Sequence, residues 1–314
     1  MSPLREKYIN PFTDFGFKKL FGTEMNKDLL MDFLNELLPV DSKIMELNYI
    51  NPELLGRSKE DRSSVFDIHC KTDTGEYFIV EMQKAEQEFF KDRSVFYASA
   101  PIRDQGVKGK WNFELKAVYT VGVLNFVFNE KDPNYYHTEV KLMDTKKKTV
   151  FYDKLTFIYL EMPKFNKSLD ELETRFEKWL YVLKHLNELQ ELPPKLVDRM
   201  FKKIFKVAEI AKMTKKEYDE YEHSKKRYND YNNTLNTAEK KGIIKGKAEG
   251  LAEGKAKGLA EGKAEGLAEG KAKGIIEGEK KKAKESAKEM LADGVSIDRI
   301  SKYTGLTIAE IKDL

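Results

Sequence analysis

The spacing of hydrophobic positions changes period several times along the chain, and the changes lay out its elements. After Pro11, the segments DFGFKKLFG and KDLLMDFLNELL place Leu29, Leu30, Phe33, Leu34, Leu37 and Leu38 at three- and four-residue intervals, which predicts helix as far as Pro39. Residues 42–50 read as a first strand. Residues 64–84 alternate with period two around a turn signal. Residues 86–109 read as a helix with a break near Pro101. Residues 114–128, rich in Val, Tyr and Phe, read as a long strand, and 138–144 and 149–161 as two more. A helix, strands, a crossover helix and further strands make an α/β core. From residue 168 the pattern turns helical, with Pro193 and Pro194 separating two amphipathic stretches.

From Gly242 to Gly278 a glycine falls at every fourth position. A four-residue unit is too short for a solenoid repeat. Ten glycines within a helix cost on the order of 10 kcal/mol relative to alanine. The segment is therefore either a flexible linker or a helix whose glycines line a seam where another helix approaches closely. Leu251, Leu259 and Leu267, eight apart, and opposite charges four apart, such as Glu253 and Lys257, favour the seam. Because four exceeds 3.6, such a seam drifts about 40° per repeat and favours a right-handed wrap. Pairs such as Gly254-Lys255 lack the glycine spacing of a phosphate-binding loop. The final ADGVSIDRISKYTGLTIAEIKDL resembles the helix-turn-helix of site-specific recombinases, with its turn at Thr304-Gly305-Leu306. The alternative, a small helical cap on the repeat, is favoured because Glu310 and Asp313 make the second helix acidic and only Lys312 offsets them.

Composition narrows the picture. Over 314 residues the net charge is only +3, so no overall basicity announces a nucleic-acid binder, although basic residues need line only one groove. The single cysteine, Cys70, excludes an internal disulfide framework and a Cys-rich zinc site, and its apolar strand setting predicts a buried thiol. The opening MSPLREKYINPF has no apolar signal region, and no run approaches the ~18 apolar residues of a spanning helix. The expectation is a soluble, cytoplasmic protein with no membrane partner.

The chemistry concentrates in VFDIHCKTDTGEYFIVEMQK, residues 65–84. Asp73-Thr74-Gly75 is a three-residue connection with glycine where a positive φ is wanted. If Thr72 pairs with Glu76, Asp67 lies opposite Glu81 and Val65 opposite Gln83. Phe66, Ile68, Cys70, Phe78, Val80 and Met82 then share an apolar face, while Asp67, His69, Glu81 and Gln83 share the other with Val65, Tyr77 and Ile79. Directly opposed side chains have Cβ atoms roughly 4.5–5.5 Å apart, and like charges there repel. A divalent cation resolves the repulsion, since Mg²⁺ is held by one or two carboxylates plus phosphate and water. Such an ion activates water against a phosphodiester. The ordinary reading, a half-solvated sheet with polar residues outward, stands beside it.

Together PFTDFGFKKLFG, VFDIHCKTDTGEYFIVEMQK and RSVFYASAPIRDQGVKGKW resemble the Rpn family of PD-(D/E)XK nuclease-family transposases, or recombination-promoting nucleases, over roughly residues 8–240. The resemblance implies a restriction-endonuclease-like α/β core, a mixed sheet flanked by helices, followed by a helical C-terminal extension. It implies Asp67 and Glu81 as metal ligands with the backbone carbonyl of Met82, and Gln83, where the superfamily usually has lysine, orienting the attacking water or a phosphate oxygen. It implies Mg²⁺, or Mn²⁺, as cofactor and DNA as partner. Phe66 stands where the motif has proline. Lys84 follows Gln83, but alternation turns it to the other face.

Asp14, beside Thr13 at a helix start, reads as an N-cap, and the resemblance adds a role as outer metal ligand. Arg93, Arg103, Gln105 and Lys108 are either phosphate-gripping groups or an ordinary solvated helix face; the resemblance includes Arg93 and Gln105. His69 fits a hydrogen-bonded structural histidine better than a general base, and His137, His185 and His223 form no ligand spacing. The expected organisation is a nuclease core over 1–165, a helical extension over 166–240, the repeat over 241–280 and a small helical tail over 281–314. The expected function is Mg²⁺-dependent DNA endonuclease in recombination, mobile-element or defence contexts, with homo-oligomerisation through the C-terminal region. The alternatives are a non-catalytic DNA-binding or assembly protein that keeps the fold, and an RNA nuclease.

Overall fold

The computed structural model describes residues 6–38, 43–50, 68–85, 87–107, 109, 111–128 and 132–314. It divides into two compact units, residues 1–233 and 234–314.

In the first unit the described residues form a six-stranded mixed sheet. Its strands are β1 (Leu47–Tyr49), β2 (Ile68–Thr72), β3 (Tyr77–Gln83), β4 (Val118–Leu124), β5 (His137–Asp144) and β6 (Thr149–Glu161), in the spatial order β1-β2-β3-β4-β6-β5. The pairs β1–β2, β2–β3 and β5–β6 are antiparallel, whereas β3–β4 and β4–β6 are parallel. A parallel pair needs a crossover, and α3 (Phe90–Arg103) supplies it between β3 and β4. Pro101 lies inside α3 without breaking it. The proline falls in the last turn, where the helix is ending and one lost N–H costs little. β4 is shorter than the window read from sequence because residues 111–117 are exposed or half-buried and only Val118 begins the buried run.

Both faces of the central strands are covered, whereas β5 and the first residues of β6 are exposed or half-buried. Phe78, Val80 and Met82 of β3 enter a large core with Ile68, Cys70, Val121, Val123, Ile158 and Leu160. The same core takes Phe17, Leu20 and Phe21 of α1 (Asp14–Phe21), Leu29, Leu30, Phe33 and Leu34 of α2 (Lys27–Asn35), and residues of α4 (Arg175–His185) and α5 (Arg199–Ala208). Trp179 of α4 packs 6.0 Å from Phe21, 5.8 Å from Phe33 and 5.2 Å from Phe201, ring centre to ring centre. Its indole Nε1 donates to Asp32 at 2.8 Å, and Arg175 donates to the same carboxylate from Nε and Nη2. The boundary expected at 165–166 therefore falls inside one packed unit. On the opposite face α3 covers a smaller cluster of Phe90, Ala98, Val118, Leu124, Phe157 and Tyr159.

Seven residues past the end of α5, α6 (Lys215–Ala292) begins and runs through the whole glycine repeat. Its first turns tie into the core of the first unit: Asn10 N donates to the Tyr221 hydroxyl at 3.0 Å, and Phe15 N to Ser224 Oγ at 3.1 Å. In the second unit, no neighbour stands within 4 Å of a Cβ built on any repeat glycine, and Leu251, Leu259 and Leu267 are exposed. α7 (Ile297–Thr304) and α8 (Ile308–Lys312) fold back on the end of α6, where Ala287, Ile300, Leu306 and Ile311 make a small core. Lys280 and Glu310 close it with an ion pair at 2.8 Å. The tail thus packs as a cap on the helix that precedes it. No helix of the described residues is long and apolar enough to cross a membrane.

Candidate active site

The β2–β3 hairpin closes with Thr72 N donating to Glu76 O at 2.9 Å, and Gly75 takes φ 102°, a conformation glycine adopts freely. Its register pairs Lys71 with Tyr77, Cys70 with Phe78, His69 with Ile79 and Ile68 with Val80. This is the register that, continued by one residue, sets Asp67 against Glu81. Asp67 itself lies outside the described residues, as do Val65 and Phe66.

Glu81 and Gln83 sit where β3 ends, on the face that α3 covers, and each is buried at 6% and 5% exposure respectively. Across the parallel strands Glu81 is in register with Gly122 and, beyond it, Tyr159; Gln83 is in register with Leu124 and Glu161. A Cβ on Gly122 would come within 3.0 Å of Tyr159 Cδ1, so glycine lets the tyrosine ring lie over β4 towards Glu81. Burial raises the Tyr159 hydroxyl above the ordinary tyrosine range; a hydrogen bond with Ser94 opposes the shift and the nearby Glu81 charge adds to it. Ser94 is fixed in α3 by its own bond to Phe90 O at 3.1 Å. The polar face of the hairpin is thus a covered one, where charge is costly unless it is matched.

Backbone direction matters as much as side chains. The Gln83 carbonyl accepts from Asn125 N at 2.9 Å, towards β4. Successive residues of a strand present their carbonyls to opposite edges, so the Met82 carbonyl points to the β2 side. The Gln83 side chain is oriented by Nε2 donating to Ala85 O at 3.3 Å.

On the other side of the strand end, Lys84 reaches the α1 face. Its ammonium is 3.1 Å from Asp14 Oδ1 and 5.8 Å from the Tyr228 ring centre, and Arg227 approaches Asp14 Oδ2 at 3.5 Å. Asp14 is the first residue of α1; the cap is Thr13, whose hydroxyl accepts from Gly16 N at 3.0 Å. That frees the Asp14 carboxylate to face Lys84 instead of its own helix. Asp14, Lys18, Lys19, His69, His223 and Arg227 border a cleft of about 820 Å³.

The remaining candidates separate. Arg93 lies one residue before Ser94, its Nη2 donating to the Tyr97 hydroxyl at 3.3 Å. Gln105 bonds the Lys116 backbone twice, accepting from its N at 2.7 Å and donating to its O at 3.2 Å. Lys116 is beside the hairpin turn, since Val118 pairs with Tyr77, whereas Leu124 pairs with Gln83. At about 3.3 Å per residue, Gln105 is some ~20 Å from the Gln83 end. Arg93 thus lies on the helix that covers the Glu81 face, whereas Gln105 lies at the turn end of the sheet. Lys108 lies outside the described residues. His137 is held neutral by burial beside Phe176, His185 pairs with Glu188, and Cys70 is buried with its thiol pushed up, an inert core group. Tyr159, Ser94 and Gly122 were not legible as site residues, because only the parallel register places them beside Glu81.

Among the described residues no group of three or more His, Cys, Asp or Glu is placed to hold a metal ion. What is present is a buried carboxylate at Glu81 next to the Met82 carbonyl, a pair of hard oxygen donors suited to Mg²⁺ or Mn²⁺ and unsuited to soft-ligand zinc. Asp67, with which the register would complete the set, lies outside the described residues.

Comparison with known proteins agrees with this architecture. The model of the PD-(D/E)XK nuclease family transposases matches residues 11–238, spanning both the sheet and the start of α6. No curated protein and no solved structure matches the chain. The family match covers well over half of the sequence, and the chain belongs to the PD-(D/E)XK nuclease family transposases.

Proposed function

We propose that the protein is a Mg²⁺-dependent DNA endonuclease, with Mn²⁺ as a substitute, that hydrolyses phosphodiester bonds at the end of β3 through Asp67, Glu81 and Gln83. The observation that carries it is Glu81, a carboxylate buried on the α3 face at the end of a parallel strand, in a hairpin whose register, if continued by one residue, would set Asp67 opposite it. Two carboxylates brought together at the end of β3 would repel each other, and a divalent cation between them would offset that repulsion.

Asp67, Glu81 and the Met82 carbonyl would hold the ion, which supplies charge neutralisation of the phosphate and a more acidic bound water. Glu81 keeps the negative charge that fixes the ion in place. Gln83, turned by Ala85, offers its amide oxygen to a water proton and carries no positive charge of its own. Asp14, linked to the strand end through Lys84, completes an acidic border to the site. Arg93 is set to meet a phosphate along α3.

The glycine repeat supports a second part of the reading, a homo-oligomer formed through α6. An isolated helix with ten glycines and fully exposed leucines carries a penalty on the order of 10 kcal/mol relative to alanine, and a close-packed copy of the same helix would offset it. The biological setting of the cleavage is read as recombination or mobile-element activity.

The test is cleavage of supercoiled plasmid by wild type, Asp67→Ala and Glu81→Ala, in Mg²⁺ and in EDTA. Wild type should cut only with the metal, and either substitution should lower the rate at least about a hundredfold, as loss of a principal transition-state contact does. Undiminished cutting by either variant removes the proposed site.

A further inference from the structure

Phe89 precedes the first turn of α3 and takes φ 61°, ψ 27°, the left-handed region that a bulky L residue rarely enters. Its ring is 66% exposed. A fold that neither buries this ring nor relaxes its backbone gains nothing from it by packing. The next residue does the packing: Phe90 lies against Phe126, Phe128 and Tyr159, at 5.6, 6.3 and 5.4 Å between ring centres. Strain and exposure at one residue, beside a residue that satisfies the core, point to a role in contact with something else.

The surroundings of Phe89 say what that is. Phe89 and Phe128 border a recess of about 500 Å³ that also includes Gln87, Glu88, Lys91 and Asp92. One wall is rigid, since Phe128 N donates to the buried Glu161 at 3.0 Å. Lys91 holds its ammonium 5.4 Å from the Phe128 ring centre. The recess lies on the Glu81 face of the sheet, because its Phe90 touches Tyr159, which is in register with Gly122 and, one strand further, with Glu81. It therefore combines an exposed aromatic face, a cation and the hydrogen-bonding side chains of Gln87, Glu88 and Asp92, on the face of the sheet that carries Glu81. These are the elements with which proteins hold an unstacked base.

We propose that this recess takes a nucleobase of the DNA strand, drawn out of its stack beside the scissile phosphate, with Phe89 as its stacking platform. Lys91 meets the neighbouring phosphate, and Gln87 and Glu88 meet the base edge. Drawing a base into the recess pulls the backbone down towards Glu81, which is too buried to reach a phosphate lying on the surface. The inference rests on the nuclease reading and deepens it by naming how the substrate is seated.

The test uses the full-length protein with DNA oligonucleotides carrying 2-aminopurine at successive positions around the cut, in Ca²⁺ for binding and in Mg²⁺ for cleavage. Wild type should change the probe's fluorescence at one position next to the cut. Phe89→Ala should abolish that change and weaken binding roughly tenfold, the loss of one stacked base. Phe89→Trp should keep both. Phe89→Gly should bind as weakly as Phe89→Ala yet melt at or above wild type, because glycine accepts the left-handed backbone, and this separates a contact with DNA from a structural role. The proposal is overturned if Phe89→Ala or Phe89→Gly binds and cuts like wild type, if Phe89→Trp is as weak as Phe89→Ala, or if Phe89→Gly melts well below wild type. A matched RNA strand that out-competes the DNA overturns its assignment to DNA. Unchanged cutting by the variants overturns this inference alone; a wild type that neither binds nor cuts DNA overturns the nuclease reading with it.

Discussion

The end of the β3–β4 ladder and the glycine repeat of α6 use the same residue for opposite physical reasons. At Gly122 a missing side chain makes room: a Cβ would press on Tyr159 at 3.0 Å and on Leu124 at 3.2 Å. At the repeat glycines nothing stands within 4 Å, which leaves room for the second copy proposed above. The first region packs within one copy of the protein, its side chains enclosed by the sheet and by α3. The second is a helix without a partner face.

Removing residues 242–314 breaks the comparison most severely. The first unit should remain folded, because its core closes without them, while the assembly should fall apart to single copies by light scattering. An unchanged mass would mean the repeat is a spacer and the leucines face only water.

One substitution made in both regions sharpens the contrast. Gly122→Ala should destabilise the first unit by about 1–3 kcal/mol in chemical denaturation, the cost of forcing a methyl group into filled space. Gly258→Ala should instead raise the helicity of the isolated repeat segment, by about 1 kcal/mol of helix stability, yet loosen the full-length assembly. Equal effects of the two changes on stability would erase the distinction.

A smaller effect separates the junctions that hold α6 to the first unit from the catalytic end. Glu217 accepts from Lys19 and from the Thr214 backbone, which lowers its pKa to about 2 from 4.5. A lowered folded pKa contributes stability that is present above pH 4.5 and lost as pH falls towards 2. Glu217→Gln should therefore lower Tm near neutrality by roughly 1–3 °C, given that the pair is partly exposed. The difference from wild type should shrink as pH approaches 2. A gap that persists or widens in acid would show that the charge is not what matters there.

Much of this was legible in the residues. Strand β6 coincides with the window 149–161 read as a strand, and the hairpin register follows from pairing Thr72 with Glu76 around the Asp73-Thr74-Gly75 turn, because turn length fixes pairing. Other features were not. That α4 and α5 share the core of the sheet depends on Trp179 reaching Phe21 and Phe33, contacts between residues some 150 positions apart that no local period records. Pro101 suggested a break because composition cannot say that it falls in a last turn. The partners of Glu81 were hidden for a related reason: parallel neighbours are set by a crossover, so nothing in the sequence around Tyr159 announces Glu81 two strands away. Gln105, chosen for its resemblance, lies at the turn end because α3 runs back along the sheet from the catalytic end.

The central claim, that the buried carboxylate at the end of β3 is there for a cation, is tested most directly by melting wild type and Glu81→Gln in EDTA and again in Mg²⁺. A ligand bound only by the folded state raises its stability by mass action, about 2.7 kcal/mol at a hundredfold excess over Kd. Glu81→Gln removes the charge while keeping shape. The account predicts that wild type gains several degrees from Mg²⁺, that Glu81→Gln gains none, and that the variant melts at or above wild type in EDTA, because repulsion with Asp67 has been removed. If Glu81→Gln melts clearly below wild type in EDTA, or gains as much from Mg²⁺, the carboxylate holds no metal.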